Sequence, residues 1–262
     1  MRMKTTLAVP LAVLLALSVG TAQAGQCTAK SSEKTVALVE LYTSEGCDSC
    51  PPADRWLSSL GPKGIAPDRV VPIALHVDYW DYIGWKDPYA RQMHSARQRK
   101  MAQLARASAV YTPQVLLQGR DFRGWGGSEF EQAVSKINAQ PAKARISLSL
   151  ETARKDAFEV VAAAELASPS PGEDIALFLG AYENKLVSEV KAGENRGKSL
   201  PHDYVVLQWA GPFEFKGGKL AERQVLPLLP KAVAGHSGVV AFVQNRATSE
   251  VLQALMLPAC PG

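Results

Sequence analysis

Val36-Ala-Leu-Val-Glu-Leu-Tyr42, then Thr-Ser-Glu-Gly, then Cys47-Asp-Ser-Cys50-Pro-Pro52 is the stretch on which the reading of this chain turns. The apolar run predicts a buried strand, and residues 53–60 predict a helix after it. Two cysteines separated by two residues at a strand-to-helix turn are what dithiol–disulfide chemistry needs, because their sulfurs can bond to each other. The unpaired N–H groups and dipole of the helix start favour the first sulfur as a thiolate. The same pair can also form half of a metal site, so the rest of the chain has to decide.

The N-terminus gives an address. Arg2 and Lys4 precede an apolar stretch over residues 7–19, and Ala22-Gln23-Ala24 supplies a small-x-small cleavage site. This predicts a signal peptide over 1–24, cut after Ala24, because the apolar stretch is too short to span a bilayer and no stop-transfer pattern follows. A lipoprotein anchor is not expected, since Gln26 precedes Cys27 where a small residue is wanted. The expected location is periplasmic or secreted, with no stable membrane insertion after cleavage. Losing Arg2 and Lys4 takes the formal charge from +4 to +2, a balance that implies no nucleic-acid partner. The remaining ~240 residues suffice for one large domain or two small ones. A hydrophobic content of 47% and a charged content of 21% are those of an ordinary globular protein.

The four cysteines are Cys27, Cys47, Cys50 and Cys260. An even count in an oxidising compartment suggests disulfides, and four cysteines allow three pairings. Proximity favours Cys47 with Cys50, which leaves Cys27 with Cys260 as a structural bridge tying the two ends of the mature chain. In the loop-entropy model such a closure contributes roughly 4 to 5 kcal/mol. The alternative is two free thiols at these ends.

Along the first half, strand and helix signals alternate. Strands are expected at 36–42, 70–77 (interrupted by Pro72) and 115–117. Helices are expected at 53–60, at 88–107 opened by Pro88, and at 129–139 with Ser128 as N-cap. From about Ala144 onward short strand-like runs separated by Pro and Gly dominate, and Ile146-Ser-Leu-Ser-Leu150 alternates with period two. This predicts antiparallel strands in a β-sandwich, with a boundary near Gln140-Pro141.

Thr112-Pro113 stands directly before the strand at 115–117, where proline removes a ladder donor. Strand, Cys-x-x-Cys on a helix, strand, helix, Thr-Pro and strand is the order of elements in thioredoxin-like folds. In those folds such a proline lies against the reactive disulfide. Val39-Glu-Leu-Tyr-Thr-Ser-Glu-Gly-Cys-Asp-Ser-Cys-Pro-Pro-Ala-Asp54 resembles the signature of the bacterial DUF1223 family more closely still. His76-Val-Asp-Tyr-Trp-Asp-Tyr-Ile-Gly-Trp-Lys-Asp-Pro88, Val110-Tyr-Thr-Pro113 and Gly193-Glu-Asn-Arg-Gly197 resemble further landmarks of it. The resemblance implies an exported protein with a thioredoxin-like domain and redox chemistry, and it supplies no substrate.

The fold class expected is therefore α/β: a thioredoxin-like domain over 25–141 followed by an antiparallel β-sandwich domain over 142–262. Cys47 is expected to attack as the thiolate and Cys50 to resolve the mixed disulfide. Thr112, Pro113, Trp80 and Trp85 are expected to contact substrate, the aromatic side chains giving apolar area with little entropy to lose; the alternative is a packed loop core. Asp48, Glu45 and Asp54 oppose a lowered thiol pKa, which predicts a reducing pair. No cofactor is expected. Other exported proteins are the expected thiol or disulfide substrates, together with an unidentified redox partner. The alternative function is a non-enzymatic module in which His76, Cys47 and Cys50 hold copper or zinc, or which binds a partner without turnover. His94, His202 and His236 show no ligand spacing. Residues 193–197 read as a polar turn, with a binding role open for Asn195 and Arg196.

Overall fold

The structure, a computed structural model, describes Met1 and residues 27–154, 156–230 and 232–260. The expected signal peptide over 1–24 lies outside the described residues apart from Met1. In chain order the elements are β1 (Cys27–Lys30), β2 (Ala37–Thr43), α1 (Pro51–Ser58), β3 (Val70–His76), α2 (Gln92–Leu104), β4 (Gln114–Leu117), β5 (Arg120–Asp121), α3 (Ser128–Asn138), β6 (Ala144–Arg154), β7 (Ala157–Leu166), β8 (Ile175–Glu183), β9 (Leu186–Glu189), β10 (Ser199–His202), β11 (Val205–Glu214), β12 (Lys219–Pro227), β13 (Ser237–Asn245) and β14 (Val251–Pro258). Short 3-10 turns cover Asp81–Ile83 and Ala234–His236.

One eight-stranded sheet, ordered β14-β13-β8-β11-β3-β2-β4-β5, runs through both halves of the chain. β2 and β3 are parallel, whereas β4 and the strands beyond β11 pair antiparallel. The join is made where β11 meets β3 in parallel at Val205 and Ala74, with the Ala74 N–H donating to the Tyr204 carbonyl at 2.8 Å. A second sheet, β1-β6-β7-β12, faces part of the first, and β9 and β10 form a separate hairpin.

The period-two rule explains the layers. Ala37, Val39 and Leu41 of β2 face one side and pack with Ala53 and Leu57 of α1 and Phe130 and Val134 of α3. Leu38 and Tyr42 face the other side and join Met101 of α2, Phe178 of β8, Val206 of β11 and Phe242 of β13 in one continuous core. On the first side, beyond the helices, Leu177, Leu179, Val239, Ala241 and Val243 meet Ile146, Leu148, Phe158 and Val160 of the second sheet. Because both faces of β2 and β3 are covered, these strands read as unbroken apolar runs. Pro72 is accommodated in β3 because its nitrogen has the parity of Ala74 and points toward β11, whose pairing with β3 is confined to the Ala74 level.

The expected fold class is corrected by this topology. Strand makes up 43% of the described residues and helix 16%, and the protein is mostly β rather than a thioredoxin-like α/β domain followed by an antiparallel β-sandwich domain. The core behind α2 passes from β2 to β13. The physical reason is the open edge of β3, which β11 from the second half meets in parallel at the Ala74 level. Single elements also shift. The second helix starts at Gln92 rather than at Pro88, and Ser128 is the first residue of α3, with Gly127 at the N-cap and no side-chain cap bond. Among the described residues no helix is long and apolar enough to cross a membrane.

Candidate functional site

β2 delivers the chain to Thr43, and a tight turn follows in which the Cys47 N–H donates to the Ser44 carbonyl at 3.2 Å. Gly46 packs tightly under the aromatic segment, and a side chain there would have to push its neighbours aside. A Cβ there would stand 3.0 Å from Trp80 Cβ and 3.3 Å from Ile83 Cδ1. Cys47 and Cys50 are joined by a disulfide across Cα atoms 5.4 Å apart. Cys50 is the N-cap of α1, followed by Pro51 and Pro52, which carry no N–H. The first available N–H groups, from Ala53 and Asp54, both donate to the Cys50 carbonyl at 2.9 and 3.1 Å. The expected stabilisation of a thiolate by free N–H groups at this helix start is therefore weak. Cys47 is 1% exposed and Cys50 0%, while Asp48 and Ser49 between them are exposed.

Below the disulfide lies a set of buried acids and bases. Asp87 accepts from the Glu45 N–H at 2.9 Å and holds His76 Nδ1 at 2.7 Å. Burial disfavours the His76 cation, but the adjoining Asp87 carboxylate outweighs it and raises the imidazole above its ordinary value; Asp87 in turn is held below the usual carboxylate range by His76 despite its burial. Glu45 meets His202 Nε2 at 3.1 Å and accepts from Trp85 Nε1 at 2.7 Å. His76, Tyr89 and His202 stack edge to face, with centroids 4.9 to 5.7 Å apart. Asp54, one turn after Cys50 on α1, lies among Thr43, His76 and His202, and burial pushes its carboxyl up. Its side chain leans back toward the turn that holds Cys50, as helical side chains do. His76 Nε2 and His202 Nδ1 are buried with no hydrogen-bond partner among the described residues.

A segment from the second half closes the top. Asn195, fully buried, donates through Nδ2 to the carbonyls of Glu45 and Cys47, both at 2.8 Å. The neighbouring Glu194 accepts from the Asp48 N–H at 3.1 Å.

The residues expected to contact substrate divide. Trp80 Nε1 donates to Thr112 Oγ1 at 2.7 Å, which ties the Thr112–Pro113 segment to the wall around Gly46. The Thr112–Pro113 peptide is cis. Pro113 also lines a groove of about 240 Å³ with Tyr111, Val115, Phe122, Arg123 and Trp125. Trp85 spends its N–H on Glu45. Cys27 and Cys260 are disulfide-bonded, across Cα atoms 5.7 Å apart, and join β1 to the chain beyond β14. Among the described residues no three His, Cys, Asp or Glu side chains are grouped to hold a metal ion. Sequence reading missed the pairing of His202 with Glu45. It left Asn195 undecided, although residues 193–197 were a visible motif.

The model of the family described as "Protein of unknown function (DUF1223)" matches residues 38–244. The chain is similar to the crystal structure of protein AGR_C_4864 from Agrobacterium tumefaciens. That match has 25% identity and a TM-score of 0.63, and covers 88% of this chain and 98% of that one. It also shares its fold with HBP35 of Porphyromonas gingivalis. There the identity is 15% and the TM-score 0.66, with 87% of this chain and 76% of that one covered. No curated protein matches it. With the family match spanning most of its length, the chain belongs to DUF1223, a family of unknown function.

Proposed function

We propose that this protein carries out thiol–disulfide exchange at Cys47 and Cys50, on protein or small-molecule thiols outside the cytoplasm. The observation that carries the reading is the Cys47–Cys50 bond at the N-cap of α1, set above the buried acids and bases just described. An external thiolate attacks Cys47 Sγ, the bond to Cys50 breaks, and Cys50 leaves with the electron pair and takes up a proton. A second thiolate of the same reductant then attacks its own sulfur in the mixed disulfide and releases the Cys47 thiolate. The reductant becomes a disulfide, and the pair gains two electrons. Run backwards, Cys47 attacks a substrate disulfide and Cys50 resolves the product. The loop side of Cys47, beside exposed Asp48 and Ser49, supports its role as the attacked sulfur.

Prolines at the first two helical positions, together with Glu45 and Asp54 nearby, leave the reduced pair without strong thiolate stabilisation. This favours the disulfide and hence a reducing potential. The leader-like N-terminus and the presence of two disulfides support an oxidising, exported setting.

The test is equilibration of the mature protein with glutathione and dithiothreitol buffers. A reversible couple between about −120 and −270 mV is expected, toward the negative end. A value below about −300 mV would mark a structural staple and end the proposal. In parallel, Cys50→Ser should accumulate a mixed disulfide through Cys47.

A further inference from the structure

We propose that residues 193–197 form a strap that must lift before the Cys47–Cys50 bond can react, and that Asn195 is the positioning residue that holds it shut. The inference rests on the exchange reaction proposed at these cysteines, but it concerns access rather than turnover.

The strap is the tip of the β9–β10 hairpin. Gly193 and Gly197, at φ +73° and +83°, turn the chain at its two ends. Within it the Arg196 N–H donates to the Gly193 carbonyl at 3.2 Å and the Lys198 N–H to the Asn195 carbonyl at 3.0 Å, so it holds its own shape. It touches the cysteine turn at three hydrogen bonds: two from Asn195 Nδ2 to the carbonyls of Glu45 and Cys47, and one from the Asp48 N–H to Glu194. Lys198 Nζ donates to Asn195 Oδ1 at 2.8 Å and fixes which end of the carboxamide points at the turn. Gly193 lies so close to Ile83 that an added Cβ would stand 3.1 Å from Cδ1, the methyl that also walls Gly46.

The consequence is that neither sulfur is open. Attack on a disulfide needs a thiolate in line with the S–S bond, and Cys47 at 1% exposure and Cys50 at 0% offer no such approach. Glu45, Asp54, His76 and His202, the buried acids and bases described above, offer no exposed face from which a thiolate could come. The strap is the removable part. It is short and mostly exposed, and it is attached to the cysteine turn chiefly through one side chain. Removing that side chain leaves two carbonyls free to take water as the strap lifts. Lids held by a few such contacts set rates in many enzymes.

Stopped-flow reduction of the oxidised, mature protein by dithiothreitol reads this directly, with both disulfides followed by alkylation and mass spectrometry. Asn195→Ala should speed reduction of Cys47–Cys50 at least tenfold at every dithiothreitol concentration and leave reduction of Cys27–Cys260 within twofold of wild type. Asn195→Asp should do the same, since a carboxylate cannot donate to the two carbonyls. Lys198→Ala should give a smaller acceleration in the same direction. Equal rates for Cys47–Cys50 in wild type and Asn195→Ala would overturn the proposal, as would parallel acceleration of both disulfides, which marks general loosening. A potential typical of a structural staple would end the exchange reading but leave this ratio standing, so the two failures are distinguishable.

Discussion

Arg97 of α2 grips Glu40 of β2 with both arms of its guanidinium, Nε at 2.7 Å from Oε2 and Nη2 at 2.9 Å from Oε1, inside the core behind the main sheet. Glu40 is the polar break in the apolar run 36–42, and it is fully buried. Tyr42 adds a hydrogen bond to the same carboxylate at 2.9 Å. The guanidinium also lies 5.0 to 5.4 Å from the ring centroids of Phe178, Trp209 and Phe242, on β8, β11 and β13. One side chain thus links the strand that leads to the cysteines with three strands from the other half.

Arg97→Met should therefore destabilise the protein by about 3 to 5 kcal/mol, because it strands the Glu40 charge in the core. Arg97→Lys should recover only part of this, since an ammonium cannot form the two-pronged pair. The double change Glu40→Leu, Arg97→Met should regain most of the loss. Urea unfolding with the disulfides intact checks all three, and a double variant no better than Arg97→Met would show that the pair is not the unit.

His94 predicts an acid limit to stability. Its Nδ1 donates to the His76 carbonyl at 3.0 Å, and Nε2 is buried without a partner among the described residues. Burial lowers its pKa to about 4. The folded value lies below the unfolded one, so the stability is whole above the ordinary imidazole range and is lost as pH falls toward 4. The gap corresponds to about 3 kcal/mol. His76 works in the opposite sense. Its raised folded value gives stability that is present below the ordinary imidazole range and fades as pH rises through that raised value. His94→Gln should abolish most of the loss between pH 6.5 and 4 relative to wild type. Urea midpoints measured across that window test it, and parallel curves for the two proteins would refute it.

The pieces of the fold were legible, but not their assembly. β2, α1 and β3 are announced by apolar runs and by Pro51-Pro52 because each is covered on the faces the pattern marks. The strand runs after Ala144 are equally visible. Their partners are not, because hydrogen bonds along a strand edge leave no trace in side-chain pattern. Nothing in residues 205–214 says that Val205 will pair with Ala74. The site follows the same division. Cys47 and Cys50 signal each other across three positions, whereas Asn195 and His202 reach Cys47 and Glu45 from 148 and 157 residues away. Asp54 was readable as a charge near the cysteines, but its burial depends on α1 packing against β10 and β2.

Asp54 gives the last prediction. It follows Cys50 by one turn of α1, is 7% exposed, and faces His76 and His202. Above its raised titration range it places a negative charge beneath the cysteines in a setting where water screens little. That charge disfavours the Cys50 thiolate and so favours the disulfide. Asp54→Asn keeps the shape and removes the charge. It should shift the exchange equilibrium about tenfold toward the dithiol, a potential less negative by about 30 mV. It should also lower the thiol pKa measured by the pH dependence of alkylation of the reduced protein. The shift in potential should shrink as pH falls through the Asp54 range, where the wild-type carboxyl is itself neutral. A shift of the same size at all pH values would point to altered packing rather than charge and would remove Asp54 from the redox chemistry.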